Sequence, residues 1–241
     1  MENLPGADFL AEAGLNLQAV FDCATLPEAV LRPLRESGAP VAEYTHLVLL
    51  GHGGRRLWDR LQAFGMKTAD PVDHYSLTIA CQYIERCLDN APHLILYPLT
   101  DFLIPLTQLG ELAGWSYPAP IGLGINPTYG VWFAYRVAFL VNDNRLPAAE
   151  HRLPAADHPC ASCTDKPCLA ACPARAVRPD PQQFDIFTCV RHRLEHKSSC
   201  ADRCLARLAC PVAPEHRYSL AQIRYHYGQS LETIREYMEE R

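Results

Sequence analysis

Residues 160–173 read Cys160-Ala-Ser-Cys163-Thr-Asp-Lys-Pro-Cys168-Leu-Ala-Ala-Cys172-Pro173. Eight of the 11 cysteines in the chain lie between Cys160 and Cys210. Disulfide frameworks are typical of small exported domains. This chain instead has 241 residues, an odd number of cysteines and no basic and apolar signal segment in residues 1–14. The clustered thiols therefore predict metal ligation, and we expect a cytoplasmic protein.

The spacing of these thiols favours iron-sulfur clusters. The quoted stretch follows the C-x2-C-x2-C-x3-C-P run of bacterial ferredoxins, with two residues added in one gap. In that run three closely spaced cysteines bind one 4Fe-4S cluster, and the cysteine before proline binds the other. A second set of cysteines, ending in Cys210-Pro211, lies downstream. The crossed pattern predicts that one cluster is bound by Cys160, Cys163, Cys168 and Cys210, and the other by Cys172, Cys189, Cys200 and Cys204.

Two zinc sites are the alternative, because four-cysteine zinc sites also use C-x2-4-C pairs. Zinc does not account for the two Cys-Pro endings. The widened gaps before Cys168 and Cys210 leave the type of one cluster open. His192 and His196 flank Cys189 at helical spacing, and they are either further ligands or surface residues of a polar helix.

The front of the chain predicts a mixed α/β domain, because short branched apolar runs alternate with stretches of helical period. Residues 47–50 and 94–97 are predicted strands. Between them, Asp70 suits a helix N-cap and Pro71 the first helical position. The apolar face of this helix places Cys81 and Cys87 in the core. It comprises Leu77, Ala80, Cys81, Ile84, Cys87 and Leu88.

Later segments are predicted from turn and cap signals. A helix over residues 102–113 should stop at Gly114, and residues 121–125 and 131–141 are the last predicted strands. The proline-rich residues 142–159 read as a linker. Ser219 and Gln222 resemble a capping box that opens a broken helical tail. We therefore divide the chain into domains at 1–145 and 146–241.

Charge is distributed unevenly along the chain. Residues 1–150 hold 9 Lys/Arg and 16 Asp/Glu, a net charge of −7. Residues 151–241 hold 13 Lys/Arg and 11 Asp/Glu, a net charge of +2. The acidic front argues against a nucleic-acid-binding surface, because phosphate affinity rests on clustered Lys and Arg. No run approaches the roughly 20 apolar residues that a membrane span needs. Nucleic acid and membrane partners are therefore not expected.

Residues 114–211 resemble the iron-sulfur core of epoxyqueuosine reductases and, more distantly, of corrinoid-dependent reductive dehalogenases. In those families a glycine-rich segment and an aromatic strand precede two crossed clusters. The matching stretch runs from Ala113-Gly114-Trp115 through Gly122-Leu-Gly-Ile-Asn126-Pro-Thr-Tyr129-Gly130-Val-Trp132-Phe133 to the eight cysteines.

Residues 46–141 resemble the cobalamin-processing CblC family more closely. Together the two resemblances imply an α+β fold in which a flavin-reductase-like mixed sheet binds a corrinoid and a ferredoxin-like two-cluster module with a helical tail follows. Three motifs carry it: Leu57-Trp-Asp59-Arg60-Leu61, Thr68-Ala-Asp70-Pro71-Val72-Asp73, and Asn126-Pro127-Thr-Tyr129-Gly130-Val-Trp132-Phe133-Ala134-Tyr-Arg136.

The same resemblances imply site residues. Asp101 would be the proton donor, although it lies about one position out of register with the acidic residue of the reductases. Pro118-Ala-Pro120 replaces their usual Gly-Lys-Asn, and the histidine that CblC proteins carry before the second helix is missing. Corrinoid contacts are implied for Tyr129, Gly130, Trp132, Phe133 and Arg136.

Two front segments carry hypotheses of their own. Arg136 stands in an apolar strand, where a charge is costly to bury unless it is paired, so it predicts an anion or cofactor contact. Leu50-Gly51-His52-Gly53-Gly54 joins a strand to a helix. It is either a phosphate-binding turn or an ordinary glycine turn.

Three functions follow from these features. In the first, the clusters pass electrons to a bound cobalamin that acts on a small-molecule or alkyl substrate, with a ferredoxin, flavodoxin or flavin reductase as electron donor. In the second, the protein is a two-cluster electron carrier without a corrinoid. In the third, it is a queuosine-type tRNA reductase.

Overall fold

The computed structural model describes residues 4–147 and 157–239. The chain forms two compact units, Met1–Trp115 with Phe133–Ala155 and Ser116–Trp132 with Ala156–Arg241. Mixed helices and an antiparallel sheet agree with the expected α+β class. The described part of the chain contains no helix that is both long and apolar enough to cross a membrane.

The first unit is built on a four-stranded antiparallel sheet. The strands are β1 (Leu17–Asp22), β2 (His46–Gly53), β3 (His93–Tyr97) and β6 (Phe133–Val141). Their order across the sheet is β1-β2-β6-β3. One face of the sheet buries Leu47, Leu49, Ala138 and Leu140 in a core with Trp115.

The described part of this unit also contains five α-helices, and one of them, Pro71–Cys87, packs against the strand Phe133–Val141. Two short 3-10 helices span Cys23–Thr25 and Val41–Glu43. The α-helices are α1 (Ala7–Glu12), α2 (Glu28–Glu36), α3 (Arg56–Phe64), α4 (Pro71–Cys87) and α5 (Leu106–Leu112).

The second unit consists mainly of short helices and one long helix. Short 3-10 helices span Pro181–Gln183 and Pro214–His216. The other elements are β4 (Tyr117–Pro118), β5 (Gly124–Ile125), α6 (Pro167–Ala170), α7 (Ile186–Leu194), α8 (Leu205–Leu208) and α9 (Leu220–Glu239).

Ser116–Trp132 belongs to the second unit, although the predicted boundary near residue 145 placed it in the front domain. Its apolar residues share a core with residues of the cysteine region. Trp132 is fully buried and its ring lies edge-on to Tyr218, with centroids 5.4 Å apart. Ile125 and Val131 join the same core with Ala206.

The predicted strands at residues 47–50 and 94–97 are confirmed as parts of β2 and β3. Helix α4 begins at Pro71 as predicted, although Asp70 makes no side-chain capping bond. The prediction that Cys81 lies in the core is wrong. Helix α4 turns Ile79, Ala80 and neighbouring positions inward, so Cys81 is exposed, and Cys87 is half-buried.

Other boundaries differ from the predictions. Helix α5 starts at Leu106, after Pro105, and not near residue 102. Its predicted stop at Gly114 is confirmed, because Ala113 is the C-cap and Gly114 has the left-handed φ of 68° expected there. Within residues 121–125 only Gly124–Ile125 pairs as a strand. The predicted linker lies partly outside the described residues.

The helical tail is continuous rather than broken, since α9 has 20 residues. Ser219 caps it by accepting a hydrogen bond from the Gln222 N–H at 3.1 Å. The Gln222 side chain does not return the bond within the described ranges, because its amide is buried without a hydrogen-bond partner there. Half of the predicted capping box is therefore formed.

Candidate metal centre

The first thiol set, Cys160, Cys163, Cys168 and Cys210, lies in the second unit around the start of α6 and the end of α8. The Cys163 N–H donates to the Cys160 carbonyl at 3.3 Å. Burial, followed by the neighbouring thiols of Cys210, Cys168 and Cys163, raises the pKa of Cys160 to about 11. Cys210, which is distant in sequence, is therefore an electrostatic neighbour of Cys160.

The second set, Cys172, Cys189, Cys200 and Cys204, lines one cavity of about 310 Å³. Burial, followed by Cys204, raises the pKa of Cys189 to about 11, and Cys172 and Cys200 act in the same direction. If all four were ionised, their like charges would repel one another. A metal centre would relieve that repulsion.

Local capping positions the thiols of the second set. Asp185 caps α7 by accepting hydrogen bonds from the Thr188 N–H at 2.9 Å and from the Thr188 hydroxyl at 2.6 Å. Cys189 follows directly in that first turn. Cys204 is the N-cap of α8, and its sulfur accepts a bond from the Arg207 N–H at 3.4 Å.

Two arginines and a tyrosine that the sequence analysis did not select support the second set. Arg207 lines the cavity, donates to the Val131 carbonyl from Nε at 3.0 Å and from Nη2 at 2.6 Å, and lies 4.7 Å from the Trp132 ring centroid. Tyr227 and Arg193 also line the cavity. In the sequence these residues look like ordinary members of polar helices, and only their tertiary position beside the thiols identifies them.

The two candidate histidines differ in position. His192 lines the cavity of the second set, and its Nδ1 lies 2.9 Å from the Glu195 carboxylate. His196 is exposed. Within the described ranges, no three His, Cys, Asp or Glu side chains already converge closely enough to hold a single metal ion.

The donor chemistry of the two sets fits iron-sulfur clusters. Thiolates are the ligands that such clusters use, and each cluster takes four of them. Every one of the 11 cysteines is a free thiol. The residues present are therefore sufficient to hold two clusters of four cysteines each.

The five residues implied as corrinoid contacts are divided between the two units. Tyr129, Gly130 and Trp132 lie in the second, and Phe133 and Arg136 in the first. A Cβ on Gly130, whose φ is 57°, would meet the Val212 carbonyl at 2.5 Å. Packing within the second unit thus accounts for both Gly130 and the buried Trp132.

The other three predicted corrinoid contacts are Tyr129, Phe133 and Arg136. Tyr129 lies edge-on to His216, with ring centroids 4.7 Å apart. Phe133 lies edge-on to Tyr135 at 5.9 Å. Arg136 is half-buried and donates from Nε to Nδ1 of His52 at 2.9 Å. The Arg136 charge is thus paired with a polar group in the first unit, and its cofactor role stays a prediction.

Asp101 lies in the exposed loop between β3 and α5, where its role as an acid also stays a prediction.

The glycine segment at residues 50–54 is largely a paired strand and not the open turn that phosphate binding requires. Gly51 through Gly53 belong to β2 and pair with β6, with a register shift at Leu50/Gly51. A Cβ on Gly51 would lie 2.9 Å from the Ala134 carbonyl, so close strand packing accounts for that glycine.

No family model and no curated protein matches the sequence. Among solved structures, one similar fold is an epoxyqueuosine reductase with an epoxyqueuosine-modified tRNA-Tyr stem loop. Its TM-score is 0.53, its identity 14%, and the match covers 90% of this chain and 66% of that one. The Bacillus subtilis epoxyqueuosine reductase gives a TM-score of 0.51 at 16% identity, covering 88% and 66%. The C. elegans B12-trafficking protein CblC gives 0.50 at 15%, covering 90% and 88%.

These likenesses are likenesses of fold. Both families that the motifs resemble are represented among these structures. The fold expected from the epoxyqueuosine reductase motifs and the fold expected from the CblC motifs are therefore both supported. This chain spans slightly less than two thirds of the length of each reductase. The expectation that nucleic acid is not a partner stays a prediction.

Proposed function

We propose that the protein is an iron-sulfur oxidoreductase whose second unit binds two 4Fe-4S clusters. The observation that supports this most is the grouping of the thiols. Cys210 neighbours Cys160 electrostatically, and Cys172 shares a cavity with Cys189. These are the long-range pairings that the crossed pattern requires.

The surrounding residues suit a one-electron centre. Ile121, Leu123 and Phe184 contribute apolar side chains to the lining of the cavity that holds the second set of thiols. The Arg207 N–H donates a hydrogen bond to the sulfur of Cys204, and Tyr227 lines the same cavity. Hydrogen bonds to cluster sulfurs and limited solvent exposure are the usual means by which a protein sets the potential of a cluster. A bound cluster would supply reversible one-electron storage.

The finer proposal is that a ferredoxin, flavodoxin or flavin reductase supplies electrons to the clusters. The clusters would pass these electrons to a bound corrinoid, which would act on a small-molecule or alkyl substrate. A corrinoid would supply the cobalt chemistry of bond cleavage. The predicted contacts fit it in part: Arg136 offers a planar donor, whereas Trp132 has no exposed surface. Support comes from the CblC-like motifs and the fold likeness to CblC.

A second candidate is a reductase acting on modified tRNA. The observation that favours it is the fold likeness to an epoxyqueuosine reductase solved with a tRNA stem loop. The net charge of +2 over residues 151–241 is compatible with a phosphate backbone. Asp101 would then be the candidate acid. Binding of an epoxyqueuosine-modified stem loop, compared with the unmodified loop, separates this candidate from the first.

The test is anaerobic reconstitution with iron and sulfide, followed by analysis of both elements. We expect about eight iron and eight sulfide per chain. Cys81→Ser is the matched control, because Cys81 is an exposed free thiol outside both sets, and its iron content should equal that of the wild type. Stoichiometric zinc without sulfide would contradict the proposal. Titration of the reconstituted protein with cobalamin then tests the corrinoid step, and a lack of binding would favour the simple electron carrier.

A further inference from the structure

Arg193 is a buried cation in the second unit. It lies on α7, is 8% exposed, and lines the same cavity as Cys172, Cys189, Cys200 and Cys204. A charge removed from water is costly unless an opposite charge or good hydrogen bonds compensate it. The partners of this guanidinium therefore bear on what the cavity holds.

All the hydrogen-bond partners of Arg193 are neutral. Nη1 donates to the Ser230 hydroxyl at 3.1 Å, Nη2 to the Tyr227 carbonyl at 2.9 Å and Nε to the Cys200 carbonyl at 3.3 Å. The guanidinium also lies 5.1 Å from the Tyr227 ring centroid. Across residues 4–147 and 157–239, no carboxylate forms an ion pair with it. These bonds fix its orientation and leave its charge uncompensated.

The cavity lining offers few sources of negative charge. Neither Asp nor Glu is among the described residues that line it. The four thiols are the lining groups suited to carry the opposite charge. Arg193 is thus placed to balance an anionic, thiolate-bound centre.

We propose that Arg193 balances the charge of the cluster bound by Cys172, Cys189, Cys200 and Cys204 and makes that cluster easier to reduce. This inference rests on the proposed function. Each added electron makes the thiolate-bound centre more negative, and a nearby cation stabilises the more negative state. Burial strengthens the effect, because a low-dielectric environment screens the interaction less than water does. Net charge is one of the factors that set cluster potentials.

Arg203 provides a matched control. It lines the same cavity, but its Nε is 2.6 Å from the Asp202 carboxylate and its side chain is 29% exposed. Its charge is therefore already compensated within the protein and partly screened by solvent. Replacing Arg203 should change the cluster potential much less than replacing Arg193.

The experiment is a redox titration of the anaerobically reconstituted full chain, followed by electron paramagnetic resonance. In Arg193→Met, the reduced-to-oxidised ratio of one cluster at the wild-type midpoint should fall about tenfold, which is 59 mV for one electron. The affected signal should be the one that Cys189→Ser alters. Arg193→Lys should stay close to the wild type, because it keeps the charge, and Arg203→Gln should also stay close.

The inference is overturned on its own if Arg193→Met keeps its iron and its midpoint is unchanged, or if Arg203→Gln shifts the midpoint as far. If Arg193→Met loses iron, Arg193→Lys decides the question: a wild-type midpoint supports the charge role, and a lowered midpoint overturns it. A wild-type chain that takes up no iron and sulfide overturns the proposed function, and this inference with it.

Discussion

Nε of Arg136 donates a hydrogen bond to Nδ1 of His52, 2.9 Å away, between the neighbouring strands β6 and β2. His52 has no exposed surface. Because Nδ1 accepts this bond, neutral His52 carries its proton on Nε2. Arg136 therefore has a role within the first unit, and a test of its cofactor role must separate ligand binding from stability.

Arg136→Ala is expected to weaken cobalamin binding by roughly 1.5 to 3 kcal/mol, the range for a charge-assisted hydrogen bond, without a change in iron content. The measurement is the change in visible absorption on adding cobalamin to protein with its clusters intact. Arg136→Lys is the companion variant, since it keeps the charge and loses the planar pair of donors. Unchanged affinity together with lowered stability would assign Arg136 to the His52 contact alone.

The crossed ligand pattern predicts a selective loss in Cys172→Ala. Cys172 lies next to the first set in sequence but lines the cavity of Cys189, Cys200 and Cys204. Iron should therefore fall from about eight to about four per chain, and the remaining signal should be the one that Cys160→Ala abolishes.

The control for this loss is Cys81→Ser, which should retain all the iron because Cys81 is exposed and belongs to neither set. The crossed pattern is refuted if Cys172→Ala and Cys160→Ala abolish the same signal.

Elements governed by local pattern could be predicted from the sequence. Strand β2 and helix α4 follow from hydrophobic periodicity and the Pro71 signal. The spacing of the thiols suggested two sets of ligands, but the crossed pattern pairs cysteines far apart in sequence, and which cysteines bind which cluster stays a prediction. Cys81 was misplaced because apolar residues occupy more than one face of α4, and periodicity alone does not say which face is buried.

Features that depend on tertiary contact could not be predicted. Residues 116–132 join the second unit because Trp132 packs against Tyr218, a pairing across 86 positions of the sequence. Arg193 looks like one more charge on a polar helix, and its importance arises from burial. The glycines at 51 and 130 suggested ligand contact, but the space beside each is taken by a backbone carbonyl.

Gly130→Ala is expected to destabilise the protein by at least about 1 kcal/mol. The φ of Gly130 is 57°, and the new Cβ would lie 2.5 Å from the Val212 carbonyl, so the substitution combines backbone strain with a clash. The free energy of unfolding, measured by chemical denaturation, checks this.

Gly228→Ala, in the same unit, should stabilise the protein where Gly130→Ala destabilises it. Gly228 lies inside α9, and nothing lies within 4 Å of the Cβ it would gain. Because alanine is the better helix former, we expect a gain of roughly 0.5 to 1 kcal/mol. Equal effects of the two substitutions would contradict the packing described around Gly130.

Asp143 should make folding stability depend on acid pH. Its carboxylate is buried and accepts hydrogen bonds from Arg145 Nε at 2.9 Å and Nη2 at 2.6 Å, and these bonds hold the pKa of Asp143 below its ordinary value of 3.8. A depressed pKa in the folded state stabilises the protein above the unfolded pKa, and this stability is lost as the pH falls through the folded value. Asp143→Asn should therefore cost about 1 to 2 kcal/mol at pH 6, a modest value because Arg145 is half exposed. The difference from wild type in urea denaturation should narrow below pH 4. A difference that stays constant from pH 6 to pH 3 would show that packing, and not the ionised carboxylate, accounts for the contribution of Asp143.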